Sequence, residues 1–128
     1  MKWNEKAIVN TDPHFLPGLH YIAVCVRRRR EILYFDPLNL NIERSFPTLF
    51  AVLKERNITV IRALKSPIQA PSSKFCGFFC IEWLLSLQYP HVKLKAYRKK
   101  EKYLEENNKI CVQNIIKMIR AIKSMNAE

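Results

Sequence analysis

The chain has 128 residues, 48% of them hydrophobic, with 22 Lys and Arg against 11 Asp and Glu for a formal net charge of +11. That is apolar material for one core and too little chain for two, so residues 1–128 read as a single compact domain. Two glycines exclude Gly-rich phosphate loops and dinucleotide fingerprints, and the charge attracts polyanions without naming one.

Residues 20–26, HYIAVCV, are apolar and β-branched and predict a buried strand. Arg27, Arg28, Arg29 and Arg30 follow, then EILYFD over 31–36 as a second strand, so the arginines fall at or near a hairpin tip. Pro37 ends the strand and PLNLN is a loop. Pro47 opens a helix at its first turn, and Phe46, Leu49, Phe50 and Leu53 extend it over roughly 46–56. NITVIR over 57–62 reads as a third strand and SPIQAPSSK as a loop. FCGFFCIEWLLSL, from Phe75 to Leu87, predicts a helix buried on most of its surface, capped by Ser72 or Ser73. The C-terminal region, from about 91–128, is basic and helical in pattern. A charged helix with Leu94, Tyr97 and Leu104 on a sparse stripe leads to an amphipathic one with Ile110, Ile115, Met118, Ile119 and Ile122. Asn107 and Asn108 separate the two. The fold class is α+β, a small antiparallel or mixed sheet packed by helices.

The cysteines are Cys25, Cys76, Cys80 and Cys111. The N-terminus lacks the apolar region of a signal peptide and no apolar run spans a bilayer, so the thiols read as reduced and intracellular. Cys76 and Cys80 are four apart, but no second Cys/His pair has finger-like spacing, and no metal site is expected. His14 and His91 carry no argument and are expected to be exposed.

One constellation carries chemistry. His20 begins the first strand and Asp36 ends the second, so a hairpin brings them to the same end of the sheet. A carboxylate there fixes the imidazole's tautomer and favours its cation. Cys76 starts the buried helix, where the dipole and free backbone N–H groups favour a thiolate. Brought to His20, it forms a Cys–His nucleophile. Gln69, seven residues before Cys76, can aim its amide N–H at a developing oxyanion.

At these residues the chain resembles a known family. LHYIAVCV, LYFDPLN and QAPSSKFCGFFC are similar to the His, acid and Gln–Cys motifs of the adenovirus protease (adenain) family, part of the wider group that includes SUMO-type deconjugating proteases. The order and the seven-residue Gln-to-Cys step agree, and AIVNT is similar to the strand before the catalytic His. The resemblance covers about residues 7–88, with no clear match beyond about 90. It implies a papain-like core in adenain-like order and a cysteine endopeptidase, with His20 as general base, Asp36 orienting it, Cys76 as nucleophile and Gln69 as oxyanion donor. Gly77 would allow close backbone approach beside the nucleophile. Substrates would be viral capsid or core precursors cut after small residues such as Gly.

The chain departs from the pattern at several places. Tyr21 stands where the family has Trp, and Asp36 where adenain has Glu. Asn57 stands where the family's activating peptide forms a disulfide, so covalent peptide activation is not expected, and neither a metal nor an organic cofactor is. The N-terminal helical part that family members carry is expected to be missing or very short, which puts one wall of the cleft in question or points to a minimal or truncated enzyme. The resemblance also implies DNA as an activating polyanion, for which Arg27 to Arg30, Lys95, Lys99 and Lys100 are the candidate contacts. A monomer, intracellular in a virion or host nucleus, is expected. The alternatives are a protease that removes a ubiquitin-like modifier and a non-enzymatic basic nucleic-acid-binding module.

Overall fold

A four-stranded mixed sheet in the order β1-β2-β3-β4 organises the chain. The computed structural model describes residues 5–11, 20–71 and 73–126; His14 and the cap candidate Ser72 lie outside them. The strands are β1 (Lys6–Thr11), β2 (His20–Arg28), β3 (Glu31–Phe35) and β4 (Thr59–Arg62). β1, β2 and β3 are antiparallel neighbours, and β4 pairs parallel with β3. The hairpin turns at Arg29 and Arg30, with Arg30 at φ 61 and a register shift between Val26 and Arg28.

Alternation along β2 and β3 sorts two cores. Ile22, Val24, Val26, Ile32 and Tyr34 pack with Phe46 on one face, beneath α1 (Ile42–Ser45) and α2 (Pro47–Glu55). Ala23 and Phe35 face the other way. They pack with Ile68, Phe79, Cys80 and Cys111 beneath α3 (Cys76–Gln88) and α4 (Glu106–Asn126).

The helix boundaries have local causes. Asn41 Oδ1 accepts from Arg44 N at 3.2 Å and starts α1. Pro47 sits in the first turn of α2, where its missing N–H costs nothing. Asn57, at φ 56, ends α2: Asn57 N donates to Lys54 O at 3.0 Å and Ile58 N to Leu53 O at 2.9 Å. That pair is a Schellman stop, which requires a residue tolerant of left-handed backbone. Asn57 thus lies in the turn before β4 and not in the strand. Helix α3 ends at Tyr89, because Pro90 disfavours helical backbone in the residue before it.

The sequence pattern misassigns one stretch. The charged helix expected after residue 93 is reduced to one 3-10 turn, Glu101–Tyr103, and residues 93–100 are not helical. They lie as a strap along α4. Asn114 Oδ1 accepts from Lys95 N and Asn114 Nδ2 donates to Lys95 O, both at 3.0 Å. Asn107 Oδ1 accepts from Arg98 N at 2.7 Å and Nδ2 donates to Arg98 O at 2.9 Å. From Asn107 to Asn114 a helix rises about 10.5 Å. The strap covers that span between Lys95 and Arg98, about 3.5 Å per residue, the rise of extended chain. Asn107 is therefore a buried clamp inside α4 rather than a break between helices.

Candidate active site

The Ala23–Phe35 pair aligns the start of β2 with the end of β3. His20 and Asp36 then project to the same face, and His20 Nε2 lies 2.7 Å from Asp36 Oδ1. Both residues are buried. The carboxylate is held by further donors. Oδ1 also accepts from Leu38 N at 2.9 Å, and Oδ2 accepts from Leu40 N at 3.2 Å and from Tyr34 Oη at 3.1 Å. The turn that follows Asp36 thus folds its own amides back onto it, an Asx-type arrangement. Phe46 stacks parallel to the imidazole, centroids 6.3 Å apart.

Helix α3 lies across the opposite face of the sheet and begins at Cys76 beside the strand end. The His20 ring is the neighbour that most favours the Cys76 thiolate, which places the thiol beside the imidazole. Since Nε2 is engaged by Asp36, Nδ1 is the nitrogen left for sulfur. Tyr21 N donates to Cys76 Sγ at 3.4 Å, and the Gly77 amide bears on the same atom. Burial opposes charge on both partners, and the hydrogen bonds outweigh it. His20 is raised to about 9 by Asp36 and Cys76 against that burial. Cys76 is lowered from its ordinary value by His20 and the Tyr21 amide, again against burial. Thiolate and imidazolium therefore stabilise one another.

The other thiols differ. Cys80, one turn along α3, donates to Tyr21 O at 3.5 Å, and burial and the neighbouring Cys76 and Asp36 push its pKa well up. Cys111 is pushed up to about 12, first by burial. Cys25 is buried among β-strands and donates to Val26 O at 3.9 Å.

Gln69 is buried in the loop before α3. Ile68 N and Gln69 N both donate to Pro37 O, at 2.9 and 3.1 Å, tying this loop to the Asp36 turn. Gln69 Nε2 donates to Ser73 O at 2.7 Å, which commits one of its two amide protons. Its Oε1 is buried without a partner among the described residues. Two α4 residues grip the same loop: Asn107 Nδ2 donates to Ile68 O at 2.8 Å, and Ser73 Oγ donates to Asn108 Oδ1 at 3.1 Å. Ser73 Oγ also accepts from Phe75 N at 3.2 Å, yet α3 has no side-chain cap at its N-cap residue, Phe75. The helix end therefore keeps amides for a developing anion.

Gly77 needs no special allowance. A Cβ there would meet the Tyr21 ring at 3.6 Å, an ordinary contact. The sequence pointed to His20, Asp36, Gln69 and Cys76 and missed Tyr34, the Tyr21 amide, Asn107 and Asn108. Tyr34 was findable, since a residue two before Asp36 on a strand shares its face.

The basic candidates occupy separate elements. Arg27 to Arg30 are exposed at the hairpin tip, with Arg27 Nε 3.6 Å from Glu31 Oε1. Strap residues Lys95, Lys99 and Lys100 are exposed. Among the described residues, no group of three His, Cys, Asp or Glu side chains gathers to hold a metal ion, and no helix is long and apolar enough to cross a membrane.

A buried imidazole–carboxylate pair beside a thiol at a helix start, here on a mixed sheet, is the arrangement that cysteine hydrolases use. The family model for the adenovirus endoprotease matches residues 2–109, so the chain belongs to that family and is a cysteine protease. The match extends past residue 90, where the motif resemblance stopped, and takes in the strap and the first turn of α4. No curated protein matches the chain.

Proposed function

We propose that Cys76, His20, Asp36 and Gln69 form the catalytic centre of this endopeptidase. The observation that carries the reading is the buried His20–Asp36 pair, with Cys76 at the helix start beside the same imidazole. The Cys76 thiolate attacks the scissile carbonyl, and the oxyanion meets α3 amides and the second Gln69 amide proton. As the C–N bond breaks, the His20 imidazolium protonates the leaving amine. His20 then takes a proton from water, which attacks the thioester and frees Cys76. Asp36 holds the ring in the tautomer that serves both transfers.

The substrates are proteins, in our reading viral capsid or core precursors cut after small residues such as Gly within the virion or host nucleus. The protein acts as a monomer. With Asn57 in its turn, activation is non-covalent, and a polyanion such as DNA on the basic surface is the candidate activator.

An electrophilic peptide ending in Gly tests the centre. Mass spectrometry is expected to find it on Cys76 and not on Cys25, Cys80 or Cys111, and His20→Ala is expected to slow labelling at least about tenfold. Equal labelling of all four thiols, or no effect of His20→Ala, rejects the assignment. A modifier ending in an aldehyde that labels faster than the peptide would favour a deconjugating enzyme.

A further inference from the structure

A cavity of about 380 Å³ opens between the two loops that carry Asp36 and Gln69. Its walls are Leu38, Leu40, Pro67, Pro71 and Leu104, with Gln69 among them. Leu38 and Leu40 are the residues whose amides hold Asp36. The cavity is thus built from the frame of the candidate catalytic centre. Lys99 and Glu101 also line it and bring one charge of each sign, so a charged ligand gains no net attraction there.

Gln69 supplies the second observation. It is 2% exposed, and its Oε1 is buried with no hydrogen-bond partner among the described residues. A buried unmet acceptor is costly, and a ligand donor recovers that cost. The site therefore fits a ligand that brings an apolar group and an N–H donor close together. A polypeptide segment does this at every apolar residue.

The direction follows from the proton path. The leaving amine takes its proton from His20, so the departing segment passes over the imidazole. Asp36 backs that ring, and Leu38 and Leu40, just beyond it in the chain, form one wall of the cavity. We propose that the cavity receives an apolar side chain of the protein substrate on the leaving-group side of the scissile bond, with that residue's backbone N–H donated to Gln69 Oε1. The inference rests on the assignment of the catalytic centre above.

Peptides with one Gly–X cleavage point test it. Gly is replaced by Leu at each of the first three positions on either side, and kcat/KM is measured. Leu is expected to raise kcat/KM about tenfold or more at one leaving-side position, the scale of an apolar group entering a pocket. Pro71→Trp and, separately, Pro67→Trp place an indole at the cavity wall. Each is expected to reduce the preference below about twofold while leaving cleavage of the all-Gly peptide unchanged. A flat leaving side, a preference confined to the acyl side, or a preference that survives both Trp variants overturns the proposal. Failure of the catalytic assignment shows separately, as no cleavage of any peptide. The cavity is then read by anisotropy with labelled peptides and the Cys76→Ala chain. Binding about tenfold tighter for the Leu peptide, lost in both Trp variants, supports it, and equal binding of Leu and Gly peptides overturns it.

Discussion

Asp36 accepts from four donors: His20 Nε2, Tyr34 Oη and the amides of Leu38 and Leu40. An amide in its place would turn an NH2 toward two of them. Asp36→Asn is therefore expected to lower kcat/KM by about 10²-fold or more, as loss of an orienting carboxylate does. It should also cost about 1–3 kcal/mol of stability, read from urea denaturation, since buried donors lose their acceptor. The ion pair sets a pH window. With Cys76 lowered and His20 raised to about 9, kcat/KM should climb at a pH below that of an ordinary thiol. It should fall as the imidazolium loses its proton near pH 9, both limbs belonging to the pair. A profile still rising at pH 10 contradicts this ordering. These side chains were visible in the sequence because reactive residue types stand at the ends of periodic segments. The unmet Gln69 Oε1 was not visible, since satisfaction depends on how two loops meet.

Elements with strong periodicity were readable: β2 and β3 from β-branched runs, α2 from Pro47 and its stripe, α3 from its apolar run. The strap was not. Its lysines and sparse apolar residues suit an exposed helix, but Asn107 and Asn114 offer its backbone better partners. Such pairing comes from residues 9 and 19 positions away, outside any local window. Asn107, together with Asn108, also makes α4 a support for the site. Asn107→Ala leaves Ile68 O and the Arg98 N–H and C=O without their partner. It is expected to destabilise the chain by at least about 2 kcal/mol in urea denaturation. Asn107→Asp should not restore it, because a carboxylate cannot donate to Ile68 O or Arg98 O. Full recovery in the Asp variant would show that the clamp is unimportant.

Across the whole molecule, charge and chemistry are separated. His20 and Arg28 are the two ends of β2, about 26 Å apart at the rise of a strand. A contact at the hairpin tip is therefore remote from the proposed nucleophile, whereas Lys99 of the strap lines the cavity beside the loop that carries Gln69. We expect DNA affinity to fall linearly with log salt. Replacing Lys95, Lys99 and Lys100 by Ala should flatten that slope by up to about 3, close to one per lost phosphate contact. Salt-independent binding contradicts a backbone-dominated mode. The net charge and the arginine tip were plain in the sequence, but that Lys95, Lys99 and Lys100 lie on an extended strap needed the fold. The clamp on the Gln69 loop has a consequence in time. Ile68 is gripped from 39 residues downstream and Ser73 from 35. Chains are made from the N-terminus onward, so a chain emerging from the ribosome exposes Cys76 and His20 before Asn107 exists to hold the loop between them. The loop that carries Gln69 is thereby held in place only after Asn107 and Asn108 have been made.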